Sequence, residues 1–484
     1  MSLPTVVLVP CWGSGHFMSA LEAGKRLLDT GGGAFSLTVL LMHSPTQTKA
    51  SEVEGHVRRE AASGLDIRFL QLPAVEHPTG CVDPVEFDSR YAQLHAPHVK
   101  SAIASLQGRV AAVVVDLFLT TLLDAAHELA VPAYVYFASP AAFLALMLRL
   151  PALRGDLTSA GFEEKGGTVD LPGLPPVPAP YMPACLVRAK IQSYDWFEYH
   201  GRRFTEARGV IVNTSLELEG SVLAAIPAAL PVHAIGPVIS FGGPTDDEQR
   251  PPAHECVRWL DAQPAASVVF ICFGSMGFLD AAQVREVAVG LQRSGHRFLW
   301  VLRGPPHAGS RFPTDAAQAQ LDELLPEGFM AACCTAGNNI GMVWPAWAPQ
   351  KEILSHAAVG GFVTHCGWNS VLESLWFGVP MLPWPLYGEQ HLNAFALVAG
   401  VGAAVALGMD RKKGFFVEAA ELERAVRSLM GGGSSEEVTK AREKAAEMRA
   451  ACRKAVAEGG SSRAALQRLV REILALPESL EGTS

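Results

Sequence analysis

Apolar, β-branched runs alternate along the chain with segments of helical period. TVVLVP at 5–10 leads through a glycine-containing loop to a segment with Met18, Leu21 and Leu28 on one helical face, and then to FSLTVLLM. The unit recurs as AAVVVDLF, the helical LLDAAHELA and AYVYF. Runs that are apolar throughout, rather than alternating, suit parallel strands covered on both faces. After GVIVNT at 209–214 the texture changes to IGPVISFGGPTDDEQRPPAHE, rich in Gly, Pro and charge, which reads as a linker. A second series follows: SVVFICFGS, a helix with Val284, Val287, Ala288 and Leu291 at i, i+3, i+4 and i+7, RFLWVLRG, then GGFVTH, a helix from about Ser370, and PMLPWP. The pattern predicts an α/β fold of two doubly wound domains, which would set both groups of strand carboxyl ends on one central cleft. Pro-rich 171–183 reads as a surface connection, and 436–474 as two charged amphipathic helices in a solvated terminal layer.

Composition narrows the class. With 484 residues, 49% hydrophobic and 18% charged, the chain can bury ample apolar surface, which excludes disorder. The longest charge-free stretch, Leu129 to Leu148, matches the roughly 20 residues of a spanning helix. Pro132 and Pro140 divide it into strand, turn and buried helix, and Gly400 and Gly402 break a second stretch from Leu392 to Met409, so no membrane span is expected. MSLPTVVLVP has no basic segment before its apolar run and reads as a first strand, not a signal peptide. Nine cysteines without a C-x-x-C pair, among them Cys11, Cys272 and Cys366 in or beside strand-like runs, indicate buried thiols in a reducing, cytoplasmic setting. A net charge of −9 with scattered basic residues argues against nucleic acid.

The first loop, Gly13-Ser14-Gly15, fails as a dinucleotide fingerprint, because Met18 occupies the third glycine position and Met42-His43-Ser44 ends the second strand without an acid. It does carry His16, where a strand gives way to a helix. An imidazole facing a cleft there can take a proton from a substrate hydroxyl. Asp116 ends AAVVVD at the expected carboxyl edge of the same sheet, placed to hold the other ring nitrogen or simply to cap a turn. Phe273-Gly274-Ser275-Met276-Gly277 lacks the first glycine of a nucleophile elbow. His95 and His98 share a spacing suited to one metal, but Pro97 is expected to disrupt the helix and no third ligand is evident.

The 44 residues from Trp347 to Gln390, WAPQKEILSHAAVGGFVTHCGWNSVLESLWFGVPMLPWPLYGEQ, carry W-A-P-Q, then H-C-G-W-N-S, Glu373 and a closing E-Q. This segment resembles the signature of plant family 1 UDP-dependent glycosyltransferases, enzymes of GT-B fold. The likeness extends to the N-terminal G-x-G-H, the V-V-D run, F-G-S and E-G-G-S-S. It implies an acceptor-binding domain at 1–238, a linker at 239–256, a UDP-sugar-binding domain at 257–460 and a C-terminal helix at 461–484 packing back on the first domain. The residues suit a nucleotide sugar. Gly367, Asn369 and Ser370 form a strand-to-helix turn whose N–H groups and dipole attract a diphosphate, with His365 and Ser275 as further donors. The resemblance assigns Trp347 to the uracil, Gln350 and Glu373 to the ribose, and Glu389 and Gln390 to the sugar hydroxyls, with the backbone near Trp368 also in contact and Ala348 and Tyr387 as further donor-binding residues. Gln390 resembles glucose users, where histidine is associated with galactose, and Trp368 rather than arginine argues against glucuronic acid. Glu389 departs from the usual aspartate.

The resemblance implies inverting transfer of glucose from UDP-glucose, His16 taking the acceptor proton and Asp116 steadying the imidazolium. No metal or other cofactor is expected, and there is no D-x-D motif to hold one. The partners expected are a UDP-sugar and a small lipophilic acceptor, a flavonoid or other plant phenolic, bound near Trp12, Gly15, Phe118, Phe143, Met147 and Trp196 by a monomer. Ser19 stands where the family usually has proline. C-glycosylation, glucosylation of a terpenoid, a UDP-sugar epimerase or hydrolase, and a silent sugar-nucleotide binder are the other readings.

Overall fold

The computed structural model describes residues 3–12, 14–44, 47–61, 63–154, 167–183, 186, 191–241, 253–306, 313–315, 318–335, 339–410, 413–431 and 436–475. Gly13 of the first loop, 242–252 of the expected linker and the tail beyond Ala475 lie outside them. The chain divides into two compact units, Met1–Gly243 with Cys452–Ser484, and Pro244–Ala451.

The first unit is built on seven parallel strands: β1 (Thr5–Val9), β2 (Ser36–Leu41), β3 (Ile67–Gln71), β4 (Val110–Asp116), β5 (Ala133–Phe137), β8 (Gly209–Val212) and β9 (Val232–Ala234). Their order is β3-β2-β1-β4-β5-β8-β9. A hairpin of β6 (Thr168–Val169) and β7 (Val177–Pro178) stands apart. The apolar runs become strands because both faces are covered: every residue of β1, β5 and β8 is buried. Each such Val, Leu or Phe side chain contributes about 1.5–3 kcal/mol when removed from water. The helix Ser461–Ala475 belongs to this unit. There Ser462 Oγ donates to the Gly236 carbonyl, Arg463 meets Asp29 at 3.1 Å, and Arg109 donates to the Ile473 carbonyl.

The second unit has five parallel strands: β10 (Val268–Cys272), β11 (Arg297–Val301), β12 (Gly341–Trp344), β13 (Val359–Thr364) and β14 (Met381–Pro383), ordered β12-β11-β10-β13-β14. The helix Ala281–Ser294 presents Val284, Val287, Ala288 and Leu291 to a core that includes Phe298, Trp300 and Trp384. Asp280 caps its start by accepting from the Gln283 N–H, and Gly295 ends it in the left-handed region.

Two expectations need correction. Pro97 does not disrupt a helix: Pro84–Ser105 runs through it, because Asp83 and Pro84 start the helix firmly and the hydrogen bond that Pro97 deletes lies on an exposed face. The 171–183 segment is not merely a surface connection, since Leu171, Val177, Ala179 and Met182 are buried and β7 pairs with β6. The eight described cysteines are free thiols, six of them buried. Among the described residues no helix is long and apolar enough to cross a membrane.

Candidate active site

Each sheet reverses its winding once, between β1 and β4 in the first unit and between β10 and β13 in the second. Ligands of doubly wound folds bind outside the strand carboxyl ends at such points. In the first unit those ends carry His16 and Asp116. His16 lies in the first turn of the helix Ser14–Gly31, and its Nδ1 sits 2.8 Å from Asp116 Oδ2. The carboxylate accepts, so Nδ1 holds the proton and Nε2 is the nitrogen that carries the ring's lone pair. The Asp116 side chain is 0% exposed and that of His16 30%, a covered anchor behind an accessible base. Asp116 Oδ1 accepts from the Phe118 N–H at 3.1 Å, so both carboxylate oxygens are used.

Of the residues expected around an acceptor, Phe118 is brought to His16, with ring centroids 5.7 Å apart. Gly15 is exposed in the same helical turn. Trp12 is buried edge-on against Tyr91. Trp196 is half-buried against Tyr199 and His200. Phe143 and Met147 are not on an accessible wall. They are 2% and 0% exposed on the helix Ala141–Leu153, which is buried nearly all round, and Phe143 packs on Phe137 and Phe197. Ser19 leaves the helix Ser14–Gly31 intact. Its buried hydroxyl lies 2.6 Å from the Tyr136 hydroxyl and accepts from Asn213 Nδ2.

In the second unit, β13 ends at Thr364 and the helix Trp368–Phe377 begins four residues on, with Gly367 at its N-cap and no side-chain cap. The sharp turn puts Cys366 at φ 64. Thr364 Oγ1 accepts from the Cys366 N–H and Asn393 Nδ2 donates to the Cys366 carbonyl, holding that backbone in place. The positive end of the helix dipole, with Asn369 half-buried and Ser370 buried in its first turn, makes an anion site. His365 is buried beside Gly274 and Gly367, and burial pushes its imidazole down to about 4, so it is neutral at physiological pH. Ser275 is exposed just past β10.

Gln350, at the start of the helix Gln350–Ser355, donates through Nε2 to Glu373 Oε2 at 2.7 Å and to Ser370 Oγ at 3.0 Å. Burial raises the Glu373 carboxyl above its ordinary value, an effect that Gln350 and Lys351 oppose. Trp347 presents an indole that is 64% exposed, while adjoining Ala348 is buried. Tyr387 is exposed, and Glu389 and Trp368 are half-buried and buried. Gln390 is buried, and its Oε1 accepts from the Leu386 and Tyr387 N–H groups at 2.9 and 3.0 Å. That oxygen shapes the loop rather than facing outward. The sequence reading missed Asn393 and Thr364, which fix the turn; neither sits in a spacing that marks it. Among the described residues no group of His, Cys, Asp and Glu is arranged to hold a metal ion.

Residues 224–439 match the family described as UDP-glucoronosyl and UDP-glucosyl transferase. The chain is 58% identical over 98% of both chains to a malvidin galactosylase of Oryza sativa subsp. japonica. It is 36% identical to an anthocyanidin 5,3-O-glucosyltransferase of a Rosa hybrid cultivar, over 96% of this chain and 98% of that one. A solved structure of a Medicago truncatula glycosyltransferase complexed with UDP-glucose superposes with a TM-score of 0.84 at 32% identity, covering 98% of this chain and 99% of that one. The fold is that of GT-B glycosyltransferases. Within that class the chain belongs to the plant family 1 UDP-glycosyltransferases and is a glycosyltransferase enzyme.

Proposed function

We propose that the protein transfers a hexose from a UDP-hexose, with inversion, to a hydroxyl of a small lipophilic acceptor, a flavonoid or other plant phenolic. The observation that carries this reading is the His16 and Asp116 pair: an accessible imidazole whose tautomer is set by a fully buried carboxylate at the switch point of its sheet. His16 Nε2 takes the acceptor proton as the acceptor oxygen bonds to the anomeric carbon. The bond from that carbon to UDP breaks, and its electron pair leaves with UDP. The growing diphosphate charge is met by the helix start at Gly367 to Ser370, with His365 and Ser275 as neutral donors. Trp347 stacks on uracil, with Ala348 beside it, while Gln350 and Glu373 hold the ribose. Glu389, Gln390, Trp368 and Tyr387 border the sugar. This arrangement invokes no metal. The acceptor is read as lying against Phe118 and Gly15, with Trp12 and Trp196 behind them.

Glucose is the donor favoured by Gln390, and Trp368 argues against glucuronic acid. A second reading, galactose, is favoured by the 58% identical relative named a malvidin galactosylase. Purified protein with EDTA, offered UDP-glucose and UDP-galactose in competition with a panel of flavonoid and anthocyanidin acceptors, is expected to give a hexosylated phenolic. NMR of the product identifies the sugar, the anomer and an O- or C-linkage. Absence of product from every donor and acceptor pair would overturn the proposal.

Trp347→Ala tests the stacking role separately. Because the indole is 64% exposed, the melting temperature is expected to be unchanged. Loss of about 1–3 kcal/mol of stacking raises KM for the UDP-sugar about tenfold or more. Trp347→Phe is expected to retain most of the affinity, and an unchanged KM in the alanine variant removes Trp347 from the base site.

A further inference from the structure

The helix Ile191–Arg203 carries a fully buried histidine that the transfer chemistry leaves unused. His200 Nε2 lies 2.8 Å from Ser89 Oγ, and Nδ1 lies 2.7 Å from Thr120 Oγ1. Proton placement follows by elimination. The single Ser89 hydroxyl proton goes to the Val85 carbonyl at 2.6 Å, so Ser89 can only accept from the ring. Nε2 therefore holds the ring proton, Nδ1 is bare, and the Thr120 hydroxyl donates to it. Burial, reinforced by the charge of Arg203, pushes His200 down to about 3, so this neutral arrangement persists at every pH where the protein would work.

Thr120 opens the single turn Thr120–Leu122, four residues after Asp116. The intervening chain is already tied to Asp116, with Phe118 N–H on its carboxylate Oδ1 and Leu119 N–H on its backbone carbonyl. The Phe118 ring spans the gap, 5.7 Å from His16 and 5.9 Å from His200. Hence one end of the segment that orients Asp116 is held by the His16 pair and the other by His200.

We propose that His200 is a positioning residue for the transfer, acting through Thr120 to hold the 116–120 segment so that Asp116 stays aligned on His16. The inference rests on the reading of His16 and Asp116 as the proton-accepting pair. His200→Phe keeps a ring of similar size and removes both hydrogen bonds, and Thr120→Val removes one donor. Each is expected to lower kcat at least about tenfold, since small displacements near reacting groups are costly. KM for the UDP-sugar should not move, because the residues read as binding it belong to the other unit. Thr120→Ser, which restores the hydroxyl, is expected to recover near-native kcat.

The decisive measurement is the cycle of His200→Phe with Asp116→Ala, with kcat scaled to the folded fraction. If His200 works through Asp116, the double variant is no slower than Asp116→Ala alone. Multiplicative losses, or a His200→Phe enzyme with native kcat per folded molecule, overturn the inference. If Asp116→Ala itself has native kcat, the reading of the pair has failed instead. Should His200→Phe not fold, the Thr120→Val and Thr120→Ser comparison carries the same test.

Discussion

Asp116→Asn is expected to lower kcat about as far as His16→Ala, roughly a thousandfold, although it exchanges an oxygen for an NH2 group. The wild-type carboxylate has two acceptors in use, Oδ1 on the Phe118 N–H and Oδ2 on His16 Nδ1. Asparagine has only one oxygen. The backbone N–H of Phe118 cannot change its role, so the amide oxygen is drawn to it and the NH2 group faces His16. The imidazole then meets a donor where it met an acceptor, so Nδ1 must give up its proton and Nε2 must take one. A base with its outward nitrogen protonated cannot accept from a phenol. Because the substituted group keeps its shape and its bond to Phe118, the melting temperature should stay near that of the wild type. KM for the UDP-sugar should be little changed. Steady-state kcat for both variants, with saturating UDP-hexose and a reactive phenolic acceptor, checks the expectation. An Asp116→Asn enzyme within tenfold of wild type would show that His16 is not held as a base by this carboxylate.

The parts of this site that could be read from sequence lie at the ends of continuous apolar runs. Asp116 closes AAVVVD, Ser275 follows VVFICFG and His365 follows GGFVT, and each falls at or just beyond the carboxyl end of a strand flanking a switch point. Burial of both strand faces made those runs visible. The same signal fails at the sheet edge. β3, IRFLQ, has partly and fully exposed positions and carries Arg68 and Gln71, so its composition did not separate it from a loop. The helix through Pro97 was hidden because a lost hydrogen bond costs little where water replaces it. Residues that act through long-range contacts had no local mark at all. His200 is bonded to Ser89 and Thr120, 111 and 80 positions away, and Asn393 reaches back 27 residues to Cys366. Pairings of that kind exist only once the sheet has assembled. The burial of Phe143 and Met147 was hidden for a related reason: an apolar residue on a helix can serve a pocket or a core, and the chain pattern is the same for both.

Gly274→Ala is expected to weaken UDP binding about a hundredfold while leaving the His16 pair intact. Two effects combine. Gly274 has φ 72, where an added side chain costs about 1–2 kcal/mol. Its Cβ would also stand 2.6 Å from both Cε1 and Nε2 of His365. Gly367 is packed as closely on the same ring: a Cβ there would lie 2.5 Å from His365 Nε2. Movement of His365 therefore disturbs the turn at Cys366 to Gly367 that starts the anion-binding helix. Gly295→Ala is the control, since Gly295 has φ 70 on the crossover after β10 but nothing within 4 Å of an added Cβ. That variant is expected to lose stability by about 1–2 kcal/mol through backbone strain alone and to bind UDP normally. Calorimetric titration of UDP into both variants, with their melting temperatures, separates strain from collision. Equal UDP affinities in Gly274→Ala and Gly295→Ala would show that the diphosphate does not depend on the space kept around His365.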